Sequence, residues 1–317
     1  MASSTRGVIF LASFVLTAKA DTPAYWSTMH HAPHNASKLF LRLAQTPNPH
    51  PPCTNESFAR IIQLTTILGH AAIDIDDKHV CSNRQDPGFC GIFSKNYKQS
   101  KSRFMYDELC ARFPPGGPPP HVCELGFMKG QTAVLFLETH PQATLQSFDL
   151  GDLAWTPPAA ELVRKAYGAS RFNMSYGYSS TTLPEYAAST VPTSGRKRKV
   201  HAMEAATGRK CSVALVDGQK NREGRLSDLR QVRSMSTPET QLFFDEVTSH
   251  DCVASAERCP AACEEDRKRS HSGAVSLWDG ATLSYCDATR EGLLAVEKCA
   301  WARALQDMDG MCSGRFL

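Results

Sequence analysis

The chain has 317 residues, of which 42% are hydrophobic and 21% are charged. These values are those of an ordinary globular protein with one large core, and they exclude a disordered chain. The formal net charge is +3, and two of the positive charges, Arg6 and Lys19, lie in a segment that we expect to be removed. The remaining near-neutral balance predicts no nucleic-acid partner.

The N-terminus has the pattern of a signal peptide. Arg6 precedes an apolar stretch over 7–18, and residues 18–20 (Ala-Lys-Ala) form a small-x-small cleavage pattern. The apolar stretch is shorter than the roughly 20 residues that a membrane-spanning helix needs. We therefore predict a leader over 1–20 and no stable membrane span after its removal. Two alternatives stay open, namely a short anchor that is not cut and the first half of a two-part plastid address.

Cysteine usage agrees with export. All 12 cysteines follow the leader, which is typical of proteins in an oxidising compartment. Asn35 and Asn55 each begin an N-glycosylation sequon. We therefore predict a disulfide-bonded glycoprotein that is secreted or resides in the lumen of the secretory pathway.

Individual cysteines receive different interpretations. Cys81 and Cys90 are predicted to staple a loop region, and Cys252, Cys259 and Cys263 are predicted to form disulfides, because they lack the paired spacing of a zinc site. Two further cysteines lie on predicted core strands that are offset along each other, which favours free buried thiols. These two are Cys123 and Cys211.

Residues 21–113 are predicted to be an N-terminal extension. It begins irregularly, then forms a helix with Ser57 as its N-cap, a stapled loop region and a short helix over 105–113. The run PPGGPPP over 114–120 breaks regular structure. We place the start of the second domain, 114–317, at this run.

From His121 onward, strands alternate with helices, which predicts an α/β domain with a parallel sheet and helices on both faces. Insertions are predicted near 189–210 and 250–272. The predicted strands cover 121–125, 143–148, 171–175, 211–216, 241–244, 293–299 and 311–316, and the predicted helices cover 132–140, 159–167, 183–188, 223–235 and 274–283.

A glycine motif follows the first predicted strand. The segment 124–130 reads Glu-Leu-Gly-Phe-Met-Lys-Gly, and Gly126 and Gly130 would let the backbone pass close to a ligand. Ligands of open α/β sheets bind beyond the carboxyl ends of the strands, where this turn lies. Asp149 ends the second strand about 20 residues later, a position that suits the hydroxyls of a ribose. A capping or loop role for Asp149 is the alternative.

The segments ELGFMKGQTA, SFDLGD, LPEYA, VALVDGQKNREGRLSDLR, LFFDEV and GMCSGRF follow one another as in class I S-adenosylmethionine-dependent methyltransferases. The chain most resembles the small-molecule O-methyltransferase-like branch of that family, over about 100–317. The resemblance implies a three-layer, Rossmann-like fold with a seven-stranded, mostly parallel sheet whose last strand is antiparallel. It also implies S-adenosylmethionine as cofactor, held by Glu124, Gly126, Gly130, Thr132, Asp149, Tyr178 and Ser179.

The resemblance further implies an acceptor site at the ends of the fourth and fifth strands. The metal-dependent branch binds Mg²⁺ there through an Asp and an Asp-Asn pair, and a nearby Lys acts as base. Asp217 and Lys220 match the catalytic positions, and Asp217, Asp245 and Glu246 match the metal positions, although Glu246 stands where Asn is expected. Hydrogen-bonding loop anchors are the alternative interpretation of these acids.

Three functions are consistent with the sequence. The first is methyl transfer from S-adenosylmethionine to a hydroxyl of a small molecule or glycan in the secretory pathway. The second is a catalytically inactive, secreted binding protein with the same fold, since the cofactor is made in the cytosol and would need to be imported. The third is a nucleotide-sugar or NAD-dependent enzyme, which Met128 disfavours because dinucleotide-binding motifs carry glycine at that position. The sequence makes no prediction of oligomeric state.

Overall fold

The computed structural model describes residues 35–73, 96–189, 209–247, 277–303 and 308–317. The helices in these ranges are α1 Ala36–Gln45, α2 Asn55–Ile73, α3 Asn96–Arg112, α4 Gln131–Thr139, α5 Thr156–Tyr167, α6 Ser179–Ser189, α7 Arg222–Ser234 and α8 Leu277–Arg290. The strands are β1 His121–Leu125, β2 Thr144–Asp149, β3 Phe172–Tyr176, β4 Cys211–Val216, β5 Ser236–Val247, β6 Leu294–Arg303 and β7 Met308–Phe316.

The strands form one sheet in the order β3-β2-β1-β4-β5-β7-β6. β1 pairs in parallel with both β2 and β4, and β3 and β5 continue the parallel arrangement on the two sides. β7 is antiparallel to both of its neighbours, β5 and β6. The strand order reverses between β1 and β4, which is where open α/β sheets bind ligands. The predicted fold class is confirmed.

Helices cover both faces of the sheet. Residues of α1 to α5 share one hydrophobic cluster with Val122, Val213 and Leu215 of the sheet. Residues of α6, α7 and α8 share a second cluster with Leu125 and Ala214. Since neighbouring residues of a strand point to opposite faces, β1 and β4 contribute to both clusters. The helices of the N-terminal segment therefore share a core with the sheet.

The N-terminal segment contains more helix than the sequence predicts. Helix α1 lies in a region that we predicted to be irregular, and α3 begins at Asn96 instead of residue 105. The N-cap of α2 is Thr54, not Ser57, because the Thr54 hydroxyl accepts a hydrogen bond from the Ser57 amide at 3.2 Å. Ser57 itself is buried, and its side-chain oxygen accepts a hydrogen bond from Asn48.

Three disulfides link described residues: Cys53–Cys110, Cys123–Cys211 and Cys299–Cys312. The prediction of free thiols at Cys123 and Cys211 is therefore wrong. The Cα atoms of Cys123 and Cys211 are 5.7 Å apart, within the range that a disulfide spans. The strand offset that argued against a bond does not keep the two sulfurs apart.

Several predictions lie outside the described residues. These are the leader over 1–20, most of the insertions near 189–210 and 250–272, and the interpretations of Cys81, Cys90, Cys252, Cys259 and Cys263. Of the helices that the structure describes, none combines the length and the apolar character needed to cross a bilayer.

Candidate functional site

The turn between β1 and α4 passes close to the end of β4. Gly126 adopts φ +89° and Gly130 adopts φ +74°, a region that favours glycine. A Cβ atom on Gly126 would lie 2.4 Å from the carbonyl oxygen of Asp217. The amide of Gly126 donates to the carbonyl of Phe148 on β2 at 2.9 Å. Glycine at position 126 therefore allows the turn after β1 to lie close to the ends of both β2 and β4.

Asp149 lies directly against this turn. Its Oδ2 accepts hydrogen bonds from the amides of Phe127 and Met128, both at 2.9 Å, and its Oδ1 accepts one from Gly151 at 2.8 Å. The predicted juxtaposition of the glycine turn and this carboxylate is therefore present. A carboxylate has about four lone-pair sites, and three of them are used here, so Oδ1 keeps the capacity to accept one bond from a ligand's hydroxyl.

Large apolar side chains are exposed beside Asp149. Among the described residues, four large hydrophobic side chains are exposed, and three of them follow or end β2 and β3: Leu150 at 43%, Tyr176 at 46% and Tyr178 at 64%. Burying exposed apolar surface favours binding of a flat, apolar ligand such as a purine. The predicted residue Ser179 lies near the buried carboxyl of Asp228: burial raises the pKa of that carboxyl, and the Ser179 hydroxyl lowers it.

Glu124 lies at the bottom of the same turn and is fully buried. Ser147 donates to its Oε2 at 2.6 Å, and the Thr132 hydroxyl donates to its Oε1. Burial raises the pKa of the Glu124 carboxyl to about 7, although both hydroxyls oppose the shift. Glu124 and Thr132, both predicted to contact the cofactor, thus bond to each other and fix the first turn of α4.

Asp217 and Lys220 are brought together after β4. The Lys220 ammonium donates to Asp217 Oδ1 at 2.6 Å and to Glu246 Oε1 at 2.6 Å. Burial lowers the pKa of Lys220, but the two carboxylates outweigh it, so the pKa is raised above its usual value. Lys220 therefore serves better as a cationic hydrogen-bond donor than as the base that the resemblance implies.

Glu246 forms a bulge in β5 and turns its side chain towards α7. Its φ is +66°, and the pairing of β5 with β7 is irregular between Asp245 and Val247. Arg225, with no exposed surface, donates from Nη2 to Glu246 Oε2 at 2.7 Å. Burial and the nearby Asp217 raise the pKa of Glu246 to about 7, and Lys220 and Arg225 oppose the shift.

Asp245 has its own cationic partner. The ammonium of Lys101 on α3 donates to Asp245 Oδ1 at 2.6 Å, and only 10% of the Lys101 side chain is exposed. Burial raises the pKa of Asp245, but Lys101 outweighs this and lowers it. We call the three carboxylates and three cations at the ends of β4 and β5 the strand-end cluster; its members are Lys101, Asp217, Lys220, Arg225, Asp245 and Glu246.

Comparisons with known proteins found solved structures of low sequence identity to this chain. No family model matches the sequence, and no curated protein matches it either. A putative O-methyltransferase from Klebsiella pneumoniae has 11% identity and a TM-score of 0.48, with 88% of this chain and 95% of that chain covered. The O-methyltransferase TomG from Streptomyces achromogenes, involved in tomaymycin synthesis and solved with SAM, has 11% identity, a TM-score of 0.48 and coverages of 84% and 91%.

An O-methyltransferase from Bacillus cereus in complex with SAH has 10% identity and a TM-score of 0.47, with 88% of this chain and 97% of that chain covered. Similarity at this level says nothing about the cofactor or substrate of the present protein. The fold assignment rests on the strand order and directions described above.

The predicted magnesium site is not supported. Among the described residues, no group of three or more His, Cys, Asp or Glu side chains is arranged to hold a metal ion. Each of the three predicted ligands instead contacts an ammonium or guanidinium group, with N–O distances of 2.6–2.7 Å. A divalent cation would have to displace these groups, and we therefore derive no step through a metal.

Sequence reasoning missed Lys101 and Arg225. Arg225 lies within the quoted segment VALVDGQKNREGRLSDLR, but an arginine in the first turn of a helix gives no signal that it is buried. Lys101 lies between a predicted loop and a predicted short helix. No local sequence motif predicts that Lys101 pairs with Asp245, which lies 144 positions away.

Proposed function

We propose that the protein is an S-adenosylmethionine-dependent methyltransferase that acts on a hydroxyl of a small molecule or glycan. The observation that carries this proposal is the position of the Asp149 carboxylate against the glycine turn, with Leu150, Tyr176 and Tyr178 exposed beside it. A carboxylate next to an apolar surface matches a nucleoside, which presents ribose hydroxyls next to a flat base.

The described residues fit this cofactor in three respects. Asp149 would accept a hydrogen bond from the ribose through Oδ1, and Tyr176 and Tyr178 would pack against the adenine. Gly126, where a Cβ would meet Asp217, keeps the turn close to the end of β4, where the methionine portion would lie. The bound cofactor would supply an electrophilic methyl group on its sulfonium.

The strand-end cluster provides groups for the acceptor. Asp217 and Lys220 have 29% and 38% of their side chains exposed, so they can meet a substrate. The acceptor hydroxyl would receive the methyl group that the bound cofactor supplies. Asp217 would take the hydroxyl proton, while the Lys220 ammonium would stabilise the negative charge that develops on oxygen.

The compartment that we propose is the secretory pathway or the cell exterior. Support comes from three disulfides between described residues and from the signal-peptide pattern, because disulfides persist in oxidising compartments. The Asn55 sequon lies at the exposed start of α2, where an oligosaccharide could be attached. Import of the cofactor is then a requirement of the proposal.

A second candidate is a binding protein that keeps the fold without turnover. One observation favours it: the carboxylates of Asp217, Asp245 and Glu246 are all engaged with cations of the protein itself. Such a protein would still bind a ligand through the Asp149 side of the site.

Calorimetric titration of the full chain with S-adenosylmethionine tests the proposal. We expect micromolar binding, and we expect Asp149→Asn to weaken it by about tenfold or more, since one hydrogen bond to a charged group contributes about 1.5–3 kcal/mol. Asp152→Asn, at an exposed position three residues later, is the matched control and should bind like the wild type. Absence of binding at millimolar cofactor would refute the methyltransferase proposal. Binding without methyl transfer to any hydroxyl would favour the second candidate.

A further inference from the structure

Helix α3 reaches across the sheet into the strand-end cluster. Residues at three- and four-residue spacings on α3 face β5, β6 and β7. The rings of Phe104 and Phe243 on β5 meet edge to face, with centroids 6.4 Å apart. Glu108 accepts a hydrogen bond from Lys298 on β6 at 2.7 Å, and Arg112 donates to the backbone of Glu239 on β5 at 2.8 Å. Lys101 lies on the same face of α3 and donates a hydrogen bond to Asp245.

The charges within the strand-end cluster balance. Its three carboxylates face two ammonium groups and one guanidinium group, and each carboxylate lies within 2.7 Å of at least one of them. Arg225 contacts Glu246, Lys220 bridges Asp217 and Glu246, and Lys101 contacts Asp245. Adding a divalent cation would leave this partly buried cluster with two uncompensated positive charges, which is costly at low dielectric.

We infer that the cations of the strand-end cluster, with Lys101 at Asp245, take the place of a divalent cation, so that the acceptor site works without a metal. This inference rests on the proposed function for its role in methyl transfer, but the ion pairs that support it do not depend on cofactor binding. Lys101 is a positioning residue here, because it holds Asp245 and does not itself contact the reacting atoms.

An acceptor site with protein cations in place of a divalent cation favours a particular class of acceptor. A divalent cation with open coordination positions can bind two neighbouring oxygens of one substrate. An ammonium that is already bonded to Asp245 offers no comparable chelation, and Lys220 offers a single charged donor. We therefore assign the site to acceptors with one isolated hydroxyl, without an advantage for vicinal diols or catechols.

Manganese binding measures the first part of the inference. The full chain is titrated with MnCl₂, and bound Mn²⁺ is followed by the loss of the free-ion electron paramagnetic resonance signal. We expect the wild type to bind with a dissociation constant no tighter than about 1 mM. In Lys101→Met the Asp245 carboxylate loses its cation, and Mn²⁺ affinity should rise by about tenfold.

Lys298→Met is the matched control, because Lys298 also pairs with a carboxylate at 2.7 Å but lies at the protein surface. It should bind Mn²⁺ no better than the wild type. Tight Mn²⁺ binding by the wild type that Asp245→Asn removes would overturn the inference, as would a folded Lys101→Met that binds no more Mn²⁺ than the wild type. Should Lys101→Met fail to fold, Lys101→Gln, which keeps a hydrogen-bond donor, gives the same readout.

Cofactor titration of the same samples separates this inference from the proposed function. If the wild type binds neither S-adenosylmethionine nor Mn²⁺ and Lys101→Met gains Mn²⁺ binding, the proposed function fails and the ion-pair inference stands. If the wild type binds both, and chelator abolishes methyl transfer, the proposed function stands and the inference fails. Equal turnover of isolated and vicinal hydroxyl acceptors supports the acceptor class, whereas a strong preference for vicinal hydroxyls contradicts it.

Discussion

Arg225 Nη2 and Glu246 Oε2 lie 2.7 Å apart, and the arginine side chain has no exposed surface. The same guanidinium also donates from Nη1 to the carbonyl of Val216 at 2.7 Å. One buried cation thus ties the end of β4 to the bulge in β5. Removing the guanidinium leaves Glu246 with Lys220 as its remaining cation and leaves this buried group of charges one positive charge short.

We predict that Arg225→Met lowers the free energy of unfolding by about 3–5 kcal/mol. Arg230→Met is the control, because Arg230 lies on the same helix and pairs with Glu291 at the same 2.7 Å, but has 55% of its side chain exposed. Arg230→Met should lower the free energy of unfolding by less than about 1 kcal/mol. Urea unfolding measures both values, and equal losses would contradict the buried placement of Arg225.

A second prediction concerns Gly126. Gly126→Ala should destabilise the protein by well over about 1 kcal/mol and abolish cofactor binding, because its φ is +89° and the added Cβ would lie 2.4 Å from a backbone oxygen. Gly116→Ala is the matched control, since Gly116 has φ +85° but nothing within 4 Å of an added Cβ. It should cost about 1 kcal/mol and leave cofactor binding intact. Unfolding curves and calorimetry distinguish the two, and full cofactor affinity in Gly126→Ala would refute the close approach.

A third prediction follows from the raised pKa of Glu124. Its carboxyl has a pKa of about 7 in the folded protein against 4.5 for the ordinary group, so the folded state holds the proton more tightly than the unfolded state. Its contribution to the free energy of unfolding is therefore largest below about pH 4.5 and falls as pH rises to about 7, by on the order of 3 kcal/mol.

Glu124→Gln removes this titration. The free energy of unfolding of the variant minus that of the wild type should be larger at about pH 8 than at about pH 5. Urea unfolding at the two pH values measures this difference. Glu161→Gln, at an exposed position on α5, corrects for the general loss of one negative charge. A stability difference that does not change with pH would show that Glu124 is not buried as described.

A fourth prediction compares two disulfides. Cys53–Cys110 closes 57 residues and Cys299–Cys312 closes 13. The chain-entropy estimate gives a stabilisation of about 4 kcal/mol for the first and about 3 kcal/mol for the second. Replacing both cysteines of each pair by serine and comparing urea midpoints measures the difference. A larger loss from the shorter loop would contradict this ranking.

The Cys53–Cys110 variant has a further readout. This disulfide joins the residue before Thr54, the N-cap of α2, to α3, and α3 also carries Lys101. Loosening α3 should therefore raise Mn²⁺ affinity, as in Lys101→Met, whereas the Cys299–Cys312 variant should not change it. The same affinity in both variants would mean that α3 stays in place without its disulfide.

Most strands of the sheet could be predicted from the sequence, because buried strands consist mainly of apolar residues. β4 is covered on both faces, and its segment CSVALV over 211–216 is apolar and buried except for the partly buried Ser212. β5 was predicted too short because its first residues, 236–239, are three polar residues and a proline that are partly or fully exposed. Pairing with β4, not hydrophobicity, holds Ser236 in the strand.

The candidate site was predicted in part. Gly126 and Asp149 follow from their positions at strand ends, and the structure places them side by side. The partners of Asp245 and Glu246 could not be predicted, because Lys101 and Arg225 come from different helices and pair through tertiary packing. The Cys123–Cys211 disulfide could not be predicted either, because an offset expected between two strands does not give the actual Cα–Cα distance, which is 5.7 Å.

The position of β7 between β5 and β6 affects how the sheet opens. In the described sheet β6 adjoins β7 alone, so β6 joins the remaining strands only through it. Any fluctuation that releases β7 from β5 therefore detaches both strands, which Cys299–Cys312 keeps joined. Their amide protons should exchange with solvent as one cooperative unit, while β1 and β4 at the centre of the sheet stay protected.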